Sequence, residues 1–250
     1  MPQHVLLNNI SHQQTRVLHR FAAEYGDNLA SVPVMPNEFT ELQKEYPLLF
    51  RRQQPNGPYQ ALALLGFEAG ENLFLEPQMP SGWAARQIPA MLERGPFLIG
   101  MQHRQEEGQH QEVAVIHIDM DHPKVNQPQG KALFLEYGGN SPYLEFVSAC
   151  LTQLHQGMAM APRLYALIEE LDLFEPINID IELHSGEKLR LTGYATISEQ
   201  RLEQLDAQKL HGLHQAGALP LCYAAMASLS NIRQLIDKKN QRLGQPSKGA

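Results

Sequence analysis

The sequence holds only two cysteines, Cys150 and Cys222, and a single tryptophan, Trp83. Two thiols set among apolar neighbours cannot build a disulfide scaffold, so they read as buried free thiols in a reducing compartment. Long apolar runs are also missing. The longest stretch free of Asp, Glu, Lys and Arg, Leu210 to Ile232, is broken by His211, His214, Gln215, Pro220, Ser228, Ser230 and Asn231. It falls short of the roughly 20 mostly apolar residues that a membrane-spanning helix needs. The first residues lack an apolar core of signal-peptide length and a small-residue cleavage site, so the expected location is the cytoplasm. Positive charge is scarce. A net charge of −7 speaks against a nucleic-acid partner, which calls for a basic face. The cluster Arg233, Lys238, Lys239, Arg242 and Lys248 reads as a solvated helix end at the negative pole of its dipole, with 241–250 as a basic tail.

Catalytic signatures are missing too. No Gly-rich phosphate loop and no Gly-x-Ser-x-Gly occurs, and neither cysteine has the exposed, electropositive setting of a nucleophile. Gly138-Gly139-Asn140 before a helix offers an anion site, but a turn with a cap explains it equally. No motif implies a cofactor.

What is present is ordinary folding material. Apolar residues at 43% and charged residues at 19% define a folded globular chain, and 250 residues suffice for one large domain or two small ones. The stretch 217–237 reads as one helix, with Gly217 ending what precedes it and Pro220 suiting a first turn. Its stripe is Leu221, Ala225, Leu229, Ile232 and Ile236, and its first half is apolar nearly all round, so it belongs inside a domain.

Before it, residues 1–30 are polar and weakly patterned, an N-terminal arm. Residues 31–39 give a short extended piece, and Asn37 then caps a helix whose apolar side is Phe39, Leu42 and Tyr46. Residues 48–50 look extended. A hairpin is expected between 59–67 and 72–76 around Gly70, followed by a short helix from Pro89 to Gly95. Residues 97–101 and 112–119 read as strands, with the polar segment 102–111 as an exposed connection. The loop 121–140, rich in Pro, Gly and Asn, is the best boundary between two lobes. Ser141 and Pro142 open a helix striped by Leu144, Val147, Leu151, Leu154 and Met158, and a second helix runs from Pro162 to Leu173. Residues 178–184 and 187–197 form a second hairpin around Ser185-Gly186, and Ser198 and Asp206 begin two short helices. This order points to an α+β fold with antiparallel sheet elements and a buried C-terminal helix, a single globular domain over 31–240 that admits two lobes.

The sharpest cluster is His117-Ile118-Asp119-Met120-Asp121-His122 at a strand end. Side chains two apart on a strand share a face, so His117 and Asp119 could reach one metal ion. With a distant His155, His184, His211 or His214 they would form the facial triad of a non-haem iron oxygenase. The alternative is a polar strand end turning at Pro123, and with 11 histidines chance pairings are expected. His211 and His214, three apart on a helix, lack a completing ligand. Glu71 and Asn72 at the first hairpin tip, with Trp83, are candidate contact residues; an exposed turn and a core tryptophan are the structural alternatives.

Several segments carry a family likeness: Val32-Pro33-Val34, Glu45-Tyr46-Pro47-Leu48-Leu49-Phe50, Leu64-Leu65-Gly66-Phe67, Gly70-Glu71-Asn72-Leu73-Phe74 and Ile88-Pro89-Ala90. Leu171-Asp172-Leu173-Phe174-Glu175-Pro176, Leu191-Thr192-Gly193, Gly217-Ala218-Leu219-Pro220-Leu221 and Ser228-Leu229-Ser230-Asn231 follow. In this order they resemble the bacterial SapC family over about residues 20 to 236. The resemblance implies no catalytic or ligand residue, since the family is named for an association with surface layers in one bacterial group and has no settled activity. Its members do not usually show a His-x-Asp pair where His117 and Asp119 stand. The expected function is a non-enzymatic accessory protein that binds a peptide, a small metabolite or a protein partner. A metal-dependent enzyme using His117 and Asp119, and a homo-oligomer that assembles into a surface layer, are the alternatives.

Overall fold

The computed structural model describes residues 3–106 and 109–244. In chain order the elements are β1 (His4–Leu6), β2 (Arg16–Val17), β3 (Ser31–Pro33), α1 (Phe39–Leu42), β4 (Leu48–Arg52), β5 (Tyr59–Leu64) and α2 (Ala90–Glu93). Next come β6 (Phe97–Glu106), β7 (Gln109–Asp119), β8 (Lys131–Ala132), α3 (Pro142–Glu170), β9 (Phe174–Glu182) and β10 (Lys188–Ile197). The chain ends in α4 (Glu199–Glu203), α5 (Ala207–Ala216), α6 (Leu219–Ser228) and α7 (Asn231–Gly244). Among the described residues every strand pairing is antiparallel, and the fold is α+β.

The chain divides into two compact units, each assembled from separated segments. Unit 1 comprises Met1–Asp27, Pro77–Trp83 and Ala90–Gln156; unit 2 comprises Asn28–Glu76, Ala84–Pro89 and Gly157–Ala250. The loop 121–140 lies inside unit 1, and the chain changes unit within α3, between Gln156 and Gly157.

Unit 1 contains the sheet β1-β7-β6 and the short ribbon β2-β8. The polar N-terminal segment therefore supplies two strands: His4, Val5 and Leu6 pair with Asp119, Ile118 and His117. The expected connection 102–111 is largely strand, with β6 and β7 paired out to Glu106 and Gln109, because the backbone makes the ladder whatever the side-chain polarity. The buried core gathers Phe21, Trp83, Phe97, Ile118, Leu133, Leu144, Val147 and Leu151. Within it Lys124 Nζ lies 3.0 Å from Asp27 Oδ1 and 4.3 Å from the centre of the Phe21 ring, while Asp27 Oδ2 accepts the Ala22 N–H. Ser141 caps α3 as the sequence predicts, its hydroxyl accepting the Leu144 N–H.

Unit 2 is built on the sheet β3-β5-β4-β10-β9. The first hairpin is β4–β5, with Leu49 opposite Leu62 and Phe50 opposite Ala61. Residues 72–76 are not its partner strand. The Asn72 carboxamide accepts the Phe74 N–H, and this local bond turns the backbone away from an extended course. Gly66 makes the return tight, since a Cβ there would sit 2.6 Å from the Glu71 carbonyl oxygen. The second hairpin turns at Ser185-Gly186 as expected, with a bulge between Leu191 and Tyr194.

The long helix α3 is continuous through Pro162, where two helices were expected. The 217–237 helix, in contrast, is two. Ser228 Oγ and Ser230 Oγ bond the Ala225 and Ala227 carbonyls three residues back, and the Leu229 N–H bonds Met226. These bonds compete with the regular ladder and break the rod at Leu229–Ser230. The buried face is then Ala218, Leu221, Cys222, Ala225 and Ser228, continued in α7 by Leu235 and Lys239 rather than by Ile232 and Ile236. Helix α6 touches α1, α5, β4 and β10, while Tyr223, 54% exposed, faces solvent. α7 reaches Gly244, so 241–244 of the expected tail are helical, and Lys248 lies outside the described residues. Among the described residues no helix is long and apolar enough to cross a membrane.

Candidate functional site

The residues singled out in the sequence fall at structural positions. Glu71 ties a loop: its Oε2 accepts the Phe67 N–H at 2.9 Å and its Oε1 lies 2.6 Å from Lys239 Nζ, which also holds Glu68 at 2.6 Å. Burial alone would lower the Lys239 pKa, but the bonds to Glu68 and Glu71 outweigh it and raise the value. Asn72 is 2% exposed, with its side chain turned to the backbone. Trp83, also 2% exposed, belongs to unit 1 and stands edge-on to Phe21 with ring centres 5.5 Å apart. Neither Asn72 nor Trp83 is presented as a surface contact residue. His117 packs over Gly100, where a Cβ would meet the imidazole at 2.3 Å. Asp119 Oδ1 accepts the backbone N–H groups of Gln3 and Asp121, so it caps the strand end. Among the described residues no three His, Cys, Asp or Glu side chains gather where a metal could sit, and no third ligand joins His117 and Asp119.

A different place in unit 2 has the attributes of a binding site. A groove of about 430 Å³ opens between the β4–β5 hairpin and the second half of α3. Met158, Ala161, Pro162 and Tyr165 form its helical wall, spaced so that they fall on one face of α3. Gln53, Gln54, Gly57 and Pro58 line the loop side, and Met35, Tyr59 and Gln60 close it toward the sheet. The Gln53 amide donates to Gln60 Oε1 at 2.7 Å. Arg52 braces the walls: its guanidinium bonds the Gly57 carbonyl and the Glu169 carboxylate and stacks 4.0 Å over the Tyr59 ring. Gly157 lets residues 35–37 lie against α3, since a Cβ there would come within 2.4 Å of Met35 Cβ.

Three buried side-chain atoms among the described residues have no hydrogen-bond partner, namely Gln102 Oε1, Thr196 Oγ1 and the Tyr165 hydroxyl. Tyr165 alone of these lines the groove, and it is 4% exposed with its ring edge-on to Phe50 at 5.6 Å. Burial, with the nearby Glu38 charge adding, pushes its pKa well above the ordinary tyrosine range, so the hydroxyl keeps its proton. Pro162 has no N–H to give the Met158 carbonyl, so one regular helical bond is missing on the same wall.

Among the described residues no Asp, Glu, Lys, Arg or His lines the groove. Neither the groove nor Tyr165 emerges from motif reading. The available signals were an uncharged loop, Gln53-Gln54-Pro55-Asn56-Gly57-Pro58, and the uncharged helical stripe Met158, Ala161, Pro162 and Tyr165.

These features define an antiparallel α+β protein with an uncharged groove in unit 2. The family model for SapC matches residues 7–235, and the chain belongs to the SapC family. No curated protein and no solved structure matches it. The segments that carry the likeness act as ties within unit 2. Glu71 holds Lys239, Ser228 Oγ accepts the Leu48 N–H at 2.9 Å, and Asn231 Nδ2 donates to the Gln43 and Tyr46 carbonyls.

Proposed function

We propose that this SapC-family chain is a non-enzymatic binding or accessory protein whose ligand occupies the groove beside Tyr165. The observation that carries the reading is a concave, wholly uncharged lining with an unmet hydrogen-bonding group under it. Such a surface selects a neutral ligand and offers no nucleophile with a base. The reading sets the protein in the cytoplasm, supported by two buried free thiols, of which Cys222 is pushed up to about 12 by burial and is inert. Thermal-shift screening of the purified protein against neutral amides and short peptides tests it, with Ala161→Trp as a groove-filling control. Hits that vanish in the control support the reading. Turnover of a defined substrate, lost on one side-chain change, would overturn it.

A further inference from the structure

We infer that the groove takes an uncharged, extended peptide segment, which adds as a short strand beside Tyr59 and directs a neutral amide side chain toward the Tyr165 hydroxyl. This rests on the binding reading above and names its ligand.

The first ground is an open strand edge. The Leu64 N–H bonds Pro47 on the β4 side, whereas the Ala61 carbonyl receives Val34 and the Leu65 N–H bonds Ala30 on the β3 side. Backbone groups alternate along a strand, so Tyr59, like Ala61, presents its N–H and carbonyl to the β3 side. There β3 gives out: its register, Pro33 opposite Leu62, would bring Pro36 opposite Tyr59. Pro36 has no N–H to donate, and it already opens a helical turn. No strand of the sheet therefore pairs Tyr59 on that side, and Tyr59 lines the groove. A peptide backbone supplies an N–H and a carbonyl at strand spacing, which is how extended segments add to sheet edges.

The second ground is charge. With no ionised side chain in the lining, and Arg52 at its edge already engaged by Glu169 and the Gly57 carbonyl, a charged ligand residue would lose hydration and find no free counter-charge. The third is the side-chain slot. Met35 and Met158 are adaptable apolar walls that can shift to admit a ligand group, and Tyr165, which lines the same groove, has a solvent-shielded hydroxyl without a partner. A ligand carbonyl or amide that reaches it meets a need the protein leaves open. A small neutral molecule could fill the slot, but it would leave the Tyr59 edge unused.

The test uses the full chain and pooled hexapeptides, acetylated and amidated at their ends, built from Ala, Leu, Val, Gln and Tyr. A matched pool carries one Lys or Glu per peptide. The uncharged pool is expected to yield retained peptides, and Ala161→Trp to abolish retention. N-methylation of a central amide in the best peptide should raise Kd by about tenfold or more, the effect of one lost hydrogen bond. Tyr165→Phe should raise Kd by about three- to tenfold without lowering the unfolding midpoint. Equal retention of the charged pool, or indifference to both N-methylation and Tyr165→Phe, overturns the peptide assignment. If N-acetylleucine N-methylamide binds in an Ala161-dependent way while no hexapeptide does, the groove reading stands and strand addition falls. If neither class binds, both fall.

Discussion

Ser228 and Leu48, 180 residues apart, are joined by a buried hydrogen bond in which the Leu48 N–H donates to Ser228 Oγ at 2.9 Å. The bond starts strand β4 on helix α6, and Ser228 in turn donates to the Ala225 carbonyl at 2.6 Å. One hydroxyl thus serves a strand and ends a helix.

Ser228→Ala leaves the Leu48 N–H buried without that acceptor, and the expected cost is about 1–3 kcal/mol. Urea unfolding followed by circular dichroism measures it, because the single tryptophan lies in the other unit and does not report on this one. An unchanged midpoint would show that the bond contributes nothing.

The Lys124–Asp27 pair is nearly closed to solvent, with side-chain exposures of 3% and 7%. Asp27→Ala should cost about 3–5 kcal/mol, since it strands an ammonium under the Phe21 ring. Replacing both partners, Asp27→Leu with Lys124→Met, should recover most of that loss. Trp83, edge-on to Phe21, gives a local fluorescence readout. A double variant no better than the single one would refute the account.

Gly157→Ala sets a methyl group against Met35 Cβ and Asn37 Oδ1, at 2.4 and 2.6 Å. Overpacking of this kind costs about 1–3 kcal/mol, set against a helix-propensity gain of about 1 kcal/mol. Net destabilisation, with reshaping of the groove at Met35, is the expected result; a stabilised variant would mean that residues 35–37 move aside freely.

His122 should make the protein sensitive to mild acid. Burial, followed by the Lys124 charge, holds its pKa below the ordinary 6.5, while Asp119 and Asp27 pull it upward. Its Nδ1 accepts the Lys124 N–H at 3.1 Å, which requires an unprotonated nitrogen. The unfolded chain then binds a proton at 6.5 that the folded chain refuses until lower pH. This contribution is therefore complete above 6.5 and declines as pH falls through the window beneath it. Unfolding midpoints between about pH 7.5 and about pH 5 should fall in the wild type and flatten in His122→Asn. Parallel curves for the two proteins would remove His122 from the account.

The parts of the fold written in local residue patterns were legible. Ser141-Pro142 starts α3, Ser185-Gly186 turns β9 into β10, and Asp206 caps α5 by accepting the Lys209 N–H. The apolar runs at 97–101 and 112–119 marked parts of β6 and β7. What escaped depends on distant partners. β1 has three residues and earns its place only by pairing with β7, and β5 finds β3 and β4 rather than the apolar residues 72–76 that follow it. The break at Leu229–Ser230 turns on serine hydroxyls choosing carbonyls three residues back, a choice that periodicity does not encode. The groove was hidden for the same reason. That Tyr165 is buried, and that nothing bonds its hydroxyl, are properties of the packed protein.

The interleaving of the two units along the chain bears on how the protein is made. Every segment of unit 1 has left the ribosome once residue 156 is free, whereas β4 must wait for β10 and for Ser228, near the far end of synthesis. During that interval the β4 edge of the apolar set β3-β5-β4 lacks its neighbour β10 and faces the risk of pairing with other nascent chains. Slowed translation after residue 160 should therefore increase aggregation, and a holdase chaperone present during synthesis should suppress it.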